Sequence, residues 1–193
     1  MVEFALVAPV VLLIIGATVD MGRGMLMYAL LQGASRDMAR QAALGYYSGS
    51  NTLPPDCTAL TTPCAGTSIV NGAHLLDSLG ASVVYSDSGS ISAAPSAYGN
   101  YSGGSTTTPG TITLVSPSPN TVYVFIYELD SSGTSPRWSC PSCAAANGVA
   151  VRTSGHQLAV VDLKLQWQPV LARFLGIPAV ITFDSQTVIR MEF

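Results

Sequence analysis

The first 47 residues carry two successive hydrophobic patterns. From Phe4 to Val19 no residue is charged, and Glu3 stands directly in front of this run. From about Met27 the apolar residues recur every three or four positions: Met27, Leu31, Ala34, Met38 and Ala42. Polar residues such as Arg36 fall on the opposite side, which is the period of a helix. The pattern therefore predicts one long helix that is apolar all round at its start and amphipathic later.

The rest of the chain alternates between short strand-like runs and loops rich in Ser, Thr, Gly and Pro. Runs of β-branched and aromatic residues favour strands. They predict strands at residues 81–85, 111–115, 121–129, 148–152, 156–168 and 180–193. A short helix is predicted at 69–79, and an apolar turn or short helix at 169–178. Residues 48–66 are predicted to form a loop, and residues 86–110 a long exposed loop or an outer hairpin.

The run from His156 to Gln168 alternates most clearly. One face is predicted to carry the apolar residues Leu158, Val160, Leu163, Leu165 and Trp167. The other face is predicted to carry the polar residues Asp162, Lys164 and Gln166. Together these patterns predict an α+β fold, in which a long amino-terminal α-helix (residues 1–47) precedes a head with an antiparallel β-sheet and long Ser/Thr/Gly-rich loops (residues 48–193).

Composition narrows the classes of function. Hydrophobic residues make up 48% of the chain, which supports a packed core and is atypical of a disordered protein. Only 10% of the residues are charged, the net charge is −3, and no Lys or Arg occurs between Arg40 and Arg137. A nucleic-acid-binding protein needs a basic surface stripe, so this class is excluded. A surface this poor in charge suits a subunit that is covered by other copies or by glycans.

Glu3 distinguishes two interpretations of the apolar run. In a plain transmembrane span the run would reach about 24 Å, against a hydrocarbon core of roughly 30 Å. Extending it takes in Asp20 and Arg23, which stand one helical turn apart and are predicted to form an ion pair. A buried, unpaired carboxylate costs several kcal/mol. Staggered helices in a bundle would remove that cost, because each Glu3 would meet the amino terminus of a neighbouring copy.

The residues that weaken the helix also favour bundling. Each glycine costs a helix about 1 kcal/mol relative to alanine. Small residues are tolerated where helix backbones approach closely. The helix contains four glycines, at Gly16, Gly22, Gly24 and Gly33. Pro9 removes one backbone hydrogen bond and predicts a kink or a loosened turn.

The segment VEFALVAPVVLLIIGATVDMGR resembles the amino-terminal signature of TadE-like pilins, the small pilin-related proteins of the tight-adherence (type IVc) pilus. The shared features are the Val-Glu-Phe-Ala start with Glu3 and Phe4, Pro9 within an apolar run, and a Gly-Arg pair after an acidic residue. The later ASRDMARQAA and the carboxy-terminal residues 161–193 also resemble that family, whereas the middle of the chain does not.

The resemblance implies a pilin-like fold and a structural role in an extracellular, adhesive filament. It further implies cleavage by a prepilin peptidase, residence in the inner membrane before assembly, and contacts with an inner-membrane assembly platform, with other pilins and with further copies of the chain. Glu3 corresponds to the acidic residue that such pilins place close behind the cleavage site. The alternative within the same family is a minor, membrane-anchored assembly factor.

Four cysteines lie in the predicted head, and an extracytoplasmic location favours disulfides. Three connectivities are possible, and the favoured one pairs Cys57 with Cys64 and Cys140 with Cys143. The Cys-Pro-Ser-Cys spacing also suits redox chemistry, but that chemistry needs a helix after the first cysteine, and the flanking residues predict loops. A four-cysteine zinc site is a further alternative, although the spacing of the first pair is wider than usual.

The remaining polar motifs carry weaker signals. Asn100 lies in an Asn-Tyr-Ser acceptor pattern for glycosylation. Asp130, Ser132 and Thr134 resemble the metal-binding loop of von Willebrand type A domains, which makes a metal-dependent adhesin a third hypothesis. The sequence contains no catalytic constellation, so we predict a protein that is not an enzyme and needs no cofactor or metal.

Overall fold

The computed structural model describes residues 2–43, 81–85, 98–105, 108–129, 136–138, 158–176 and 179–190. It opens with the helix α1 (Val2–Ala43), which continues through Pro9. The other elements follow in chain order: β1 (Ser82–Tyr85), β2 (Gly99–Ser102), β3 (Thr111–Leu114), β4 (Thr121–Leu129), β5 (Arg137–Trp138), β6 (Leu158–Trp167), α2 (Val170–Phe174) and β7 (Ile181–Arg190). The long helix and five of the predicted strands are thereby confirmed, whereas the predicted helix at 69–79 and strand at 148–152 lie outside the described residues.

The main sheet has the order β1-β4-β6-β7, with the short β5 paired to β4 on the same side as β1. β4, β6 and β7 are antiparallel to one another, as predicted. β1 pairs with β4 in parallel, so the sheet is mixed at this edge, a pairing that the sequence did not predict. The chain between β1 and β4 contains the β2–β3 pair, and a connection of that length permits parallel pairing.

β2 and β3 form an antiparallel hairpin that covers one face of the main sheet. This hairpin lies in the segment predicted to be a long loop or an outer hairpin. Ile112 of β3 is buried and packs with Phe125 and Tyr127 of β4. Gly99 permits this close approach, since a Cβ atom there would lie 2.7 Å from Ile112 Cγ2.

The second half of α1 covers the opposite face. Leu31, Ala34 and Met38 are fully buried against apolar residues of β4 and β6, so the predicted amphipathic stripe is confirmed. Ser35 adds polar contacts, because its Oγ lies 2.9 Å from both Ser185 Oγ and Thr187 Oγ1 of β7. The second half of the helix thus shares a core with the sheet.

β6 is buried on both faces. Leu163, Leu165 and Trp167 face α1, and Asp162, Lys164 and Gln166 lie on the other face, as predicted. The expectation that Leu158 and Val160 share the face of Leu163 is wrong. Val160 packs in the cluster under the hairpin, and the two-residue strand period places Leu158 on the same side. Both faces of β6 are covered, so apolar residues are accommodated on either side.

Candidate functional site

The first half of α1 projects from the head as an uncovered apolar surface. Over Leu6–Val19, here called the arm, the side chains are exposed except for Ala8 and Gly16, which are half-buried. Leu6, Leu12 and Ile14 expose 72%, 68% and 61% of their surface. Monomeric soluble proteins rarely expose a continuous apolar patch of this kind, which typically marks a protein or membrane contact. Within the described residues, α1 is also the one helix long and apolar enough to cross a membrane by length and composition.

Asp20 marks the point where the arm meets the head. Its side chain is buried, and Oδ2 accepts a hydrogen bond of 2.6 Å from the backbone amide of Leu171 in α2. Arg23 is exposed, and no ion pair joins it to Asp20 in the described part of the chain. The structure thus gives Asp20 a different partner from the predicted one, because α2 packs beside α1 and offers an unpaired first-turn amide.

Polar groups within the arm are satisfied by the helix itself. Thr18 Oγ1 donates a hydrogen bond of 2.8 Å to the carbonyl of Ile14, one turn earlier. This local bond leaves the hydroxyl independent of solvent, which suits an apolar environment.

The four helix glycines have different surroundings. A Cβ atom on Gly24 would lie 3.1 Å from the indole ring of Trp167, and one on Gly16 would lie 3.4 Å from Leu171 Cδ1. At Gly22 and Gly33, no atom of the described residues lies within 4 Å of that position. Gly24 therefore serves the packing of the head itself, whereas Gly22 and Gly33 leave room for a backbone from outside.

An apolar collar lies on the head next to the base of the arm, where α2 contacts α1. We use this name for the exposed apolar residues of α2 and the start of β7: Val170, Phe174, Leu175, Val180 and Ile181. Phe174 is 85% exposed, more than any of the exposed large apolar residues of the arm. The sequence predicted an apolar turn or short helix here, and its exposure extends the apolar surface from the arm onto the head.

The structure describes only some of the other predicted site residues. Glu3 and Phe4 lie within α1, but the description does not cover their side chains. Cys57, Cys64, Cys140 and Cys143 lie outside the described residues, as do Asp130, Ser132 and Thr134, so the disulfides and the metal-binding loop remain predictions. Asn100 is exposed on β2, and its glycosylation likewise remains a prediction.

Sequence reasoning missed three residues that fix the arm to the head: Ser35, Trp167 and Leu171. Ser35 lies on the apolar face of the helix, and this position is a signal for a buried hydroxyl contact. Trp167 and Leu171 are distant in sequence from the glycine and the acid that they contact. Nothing in a single sequence indicates such pairings.

The comparisons with known proteins give one family match, at the amino-terminal end of the chain. Residues 1–40 match the family model described as TadE-like protein. The chain has no match among curated proteins and none among solved structures. The matched residues comprise the arm and most of the helix that anchors it.

Proposed function

We propose that this protein is a structural pilin subunit that polymerises through the arm into an extracellular Tad-type filament. One observation carries the proposal: a single helix is fixed in the head by its second half and presents an uncovered apolar first half. A rigid connection of this kind transmits the position of a packed arm directly to the head. The TadE-like match supports a structural, non-enzymatic role at a pilus.

The dimensions of the arm favour a helix that leaves the membrane. Leu6–Val19 spans about 21 Å, which is shorter than a hydrocarbon core of roughly 30 Å. The apolar collar would lie at the level where the arm ends, so a neighbouring subunit that packs against the arm would cover both surfaces. Before assembly, the same surfaces would rest in the inner membrane, where the assembly platform and the prepilin peptidase would act on the chain.

Glu3 provides the direct test of the packing. In a bundle of staggered arms its carboxylate would pair with the terminal amine of a neighbour, since an unpaired carboxylate costs several kcal/mol in apolar surroundings. We expect Glu3→Ala to abolish fibres that can be sheared from the cell surface, while the protein persists in the membrane fraction. Asp37→Asn is the matched control, because Asp37 is an exposed acid on the same helix, and it should leave fibres intact.

Electron microscopy with gold-labelled antibody locates the protein along the fibre. Labelling along the whole fibre would support a filament subunit, whereas labelling at fibre bases alone would indicate the minor, membrane-anchored assembly factor. Normal fibres from the Glu3→Ala variant would contradict the proposed packing. The metal-dependent adhesin makes a separate prediction, namely that chelators and Asp130→Ala abolish surface adhesion without changing fibre number.

A further inference from the structure

Three charged residues meet on the sheet face that carries the hairpin. Lys164 of β6 is the register partner of Asp184 on β7, and Asp162 lies two residues earlier on the same face of β6. The Lys164 ammonium donates a hydrogen bond to Asp184 Oδ2 and lies 3.5 Å from Asp162 Oδ1. Lys164 and Asp162 are 3% and 1% exposed. Lys164 is also the single lysine of the chain.

Aromatic side chains enclose this group. The register with β4 places Tyr123 beside Lys164 and Phe125 beside Asp162, and both aromatic residues are buried. Gln186, the register partner of Asp162, donates its amide hydrogens to Tyr127 Oη and the Gly110 carbonyl, at 3.2 Å each.

Among the residues that the structure describes, Asp162 Oδ1 is buried and has no hydrogen-bond donor, and the Lys164 ammonium lies 3.5 Å away. Burial raises the pKa of Asp162 to about 7, against the opposing effect of Lys164, so the carboxyl holds its proton far above the ordinary range. A buried polar atom without a partner is destabilising and calls for an explanation.

We propose that this group forms a covalent cross-link: an amide bond between Lys164 Nζ and Asp184 Cγ, made by the protein itself with Asp162 as the general acid and base. The required parts are an amine, a carboxyl acceptor in contact with it, and a protonated acid beside both. All three stand on two paired strands, so the reaction is intramolecular. Well-oriented intramolecular reactions reach effective concentrations of about 10⁵–10⁸ M.

The atoms balance without an oxidant or a co-reactant. One proton passes from the Lys164 ammonium to the Asp184 carboxylate, which removes both charges. The Nζ lone pair attacks Cγ of Asp184, and Asp162 donates its proton to the oxygen that develops negative charge. The C–O bond then breaks, a proton of Nζ returns to Asp162, and one water leaves. The amine loses one hydrogen, the acid loses one hydroxyl, and Asp162 ends in its starting state.

The surroundings allow that water to escape. A cleft of about 240 Å³ opens beside the three residues and is lined also by Gly110, Thr111 and Gln186. The Asp184 side chain is half exposed in it, at 50%, whereas Lys164 and Asp162 form its floor. The leaving group thus faces solvent while the nucleophile and the acid stay enclosed.

The bond would fasten the part of the head that holds the helix. β6 and β7 both contact α1, and α2 lies between them in sequence. An amide bond between residues 164 and 184 would close this segment into a covalent loop. Tension on the arm would then be borne by a covalent bond as well as by backbone hydrogen bonds. The proposed bond lies in the head alone, and it would form whether or not the arm builds a filament.

Digestion with an arginine-specific protease tests the bond directly. Cleavage after Arg152, Arg173 and Arg190 releases residues 153–173, which contain Lys164, and residues 174–190, which contain Asp184. For the purified, folded full-length chain in detergent, we expect mass spectrometry of the reduced, denatured digest to show one branched peptide. Its mass should equal the two peptides combined, less one water. Two linear peptides, with Lys164 open to an amine-reactive reagent, would overturn the proposal.

Variants separate the roles of the three residues. Lys164→Arg should give linear peptides. Asp184→Asn should still give the branched peptide, with the same mass as the wild-type product, because ammonia leaves in place of water. Asp162→Asn should give linear peptides in a chain that retains Lys164 and Asp184. Branched peptide at the wild-type level in Asp162→Asn would refute the role of Asp162, and Asp37→Asn serves as an unaffected control. If a variant fails to fold, the wild-type digest still decides whether the bond exists.

Discussion

Asp162 shows how one residue can respond to pH through its surroundings. It faces Lys164, Asp184 and Tyr127 from its own and the neighbouring strands. Burial is the largest effect and raises its pKa from 3.8 to about 7, while the Lys164 charge lowers it and the Asp184 charge raises it. Burial also raises the pKa of Tyr127, and the nearby Asp162 charge adds to that shift. Both shifts disfavour the ionised form, so the site favours the protonated, uncharged forms of Asp162 and Tyr127.

This shift makes a prediction about stability. The unfolded chain releases the Asp162 proton near pH 4, whereas the folded chain keeps it until about pH 7. The folded state binds more protons between these values, so stability falls as pH rises through this window, by at most about 1.4 kcal/mol per pH unit. In a Lys164→Arg background, where the proposed amide bond cannot form and a positive charge is kept, we expect Asp162→Asn to remove this slope in urea unfolding of the full-length chain in detergent.

The control for the pH prediction is Asp37→Asn, since Asp37 is exposed and its loss should leave the slope unchanged. If the chain with both Lys164→Arg and Asp162→Asn loses as much stability between pH 4 and pH 7 as the chain with Lys164→Arg alone, the assignment is contradicted. Chemical denaturation at each pH, followed by the fluorescence of Trp138 and Trp167, provides the measurement.

At the scale of the element, α1 is one helix in two environments. Its second half contributes Leu31, Ala34 and Met38 to the core, and its first half contributes nothing to it. The junction depends on close contacts with β6 and α2, namely Gly24 with the Trp167 ring and Asp20 with the Leu171 amide. Trp167 itself stacks on Phe183 of β7 at 5.7 Å.

We expect Gly24→Leu to destabilise the docking of the helix, because the new side chain would displace the Trp167 ring. Overpacking of this kind costs typically about 1–3 kcal/mol. Gly22→Leu is the matched comparison on the same helix, and it should not destabilise the head, since no described residue lies within 4 Å of that position. Urea unfolding of the two full-length variants in detergent compares the free energies, and equal stability would show that Gly24 has no packing role.

At the scale of the whole molecule, the arm and the collar form one apolar surface on the side of the protein where α1 leaves the head. Their exposed residues include Ile15 and Val19 on the arm and Phe174 on the collar. A surface of this extent is stable in water only when it is covered. In the proposed filament, neighbouring arms and heads provide that cover.

Substitutions at Gly22 test whether another copy packs against the helix, without disturbing the fold of the single chain. Gly22 is exposed, and the described part of the chain leaves open space beside it, so in the proposed filament a close backbone contact at this position would come from another copy. We expect Gly22→Leu to reduce sheared fibres strongly, while Gly22→Ala, which keeps a small residue, forms them. Quantification of the protein in sheared fibre preparations gives the measurement. Full fibre yield from Gly22→Leu would place Gly22 outside the helix contacts.

Much of the fold was predictable because its signals are local. The period of Leu31, Ala34 and Met38 identified the buried stripe of α1, and β-branched runs identified β4 and β6. The parallel pairing of β1 was not predictable, since strand direction in a sheet depends on contacts that a local pattern does not record. The exposed collar was predicted only as an apolar segment, and its position beside the arm depended on where α2 packs.

For the candidate sites, too, local features were predictable from the sequence and contacts between elements were not. The sequence alone determined that the chain begins with a long apolar helix, that glycines interrupt it, and that its surface is poor in charge, because each of these is a property of composition or period. Only the tertiary structure decided that Asp20 binds the Leu171 amide, that Gly24 receives Trp167, and that Lys164 meets Asp184 with Asp162 beside them. These pairs join residues on different elements, and strand register and helix packing, which local propensity does not encode, bring them together.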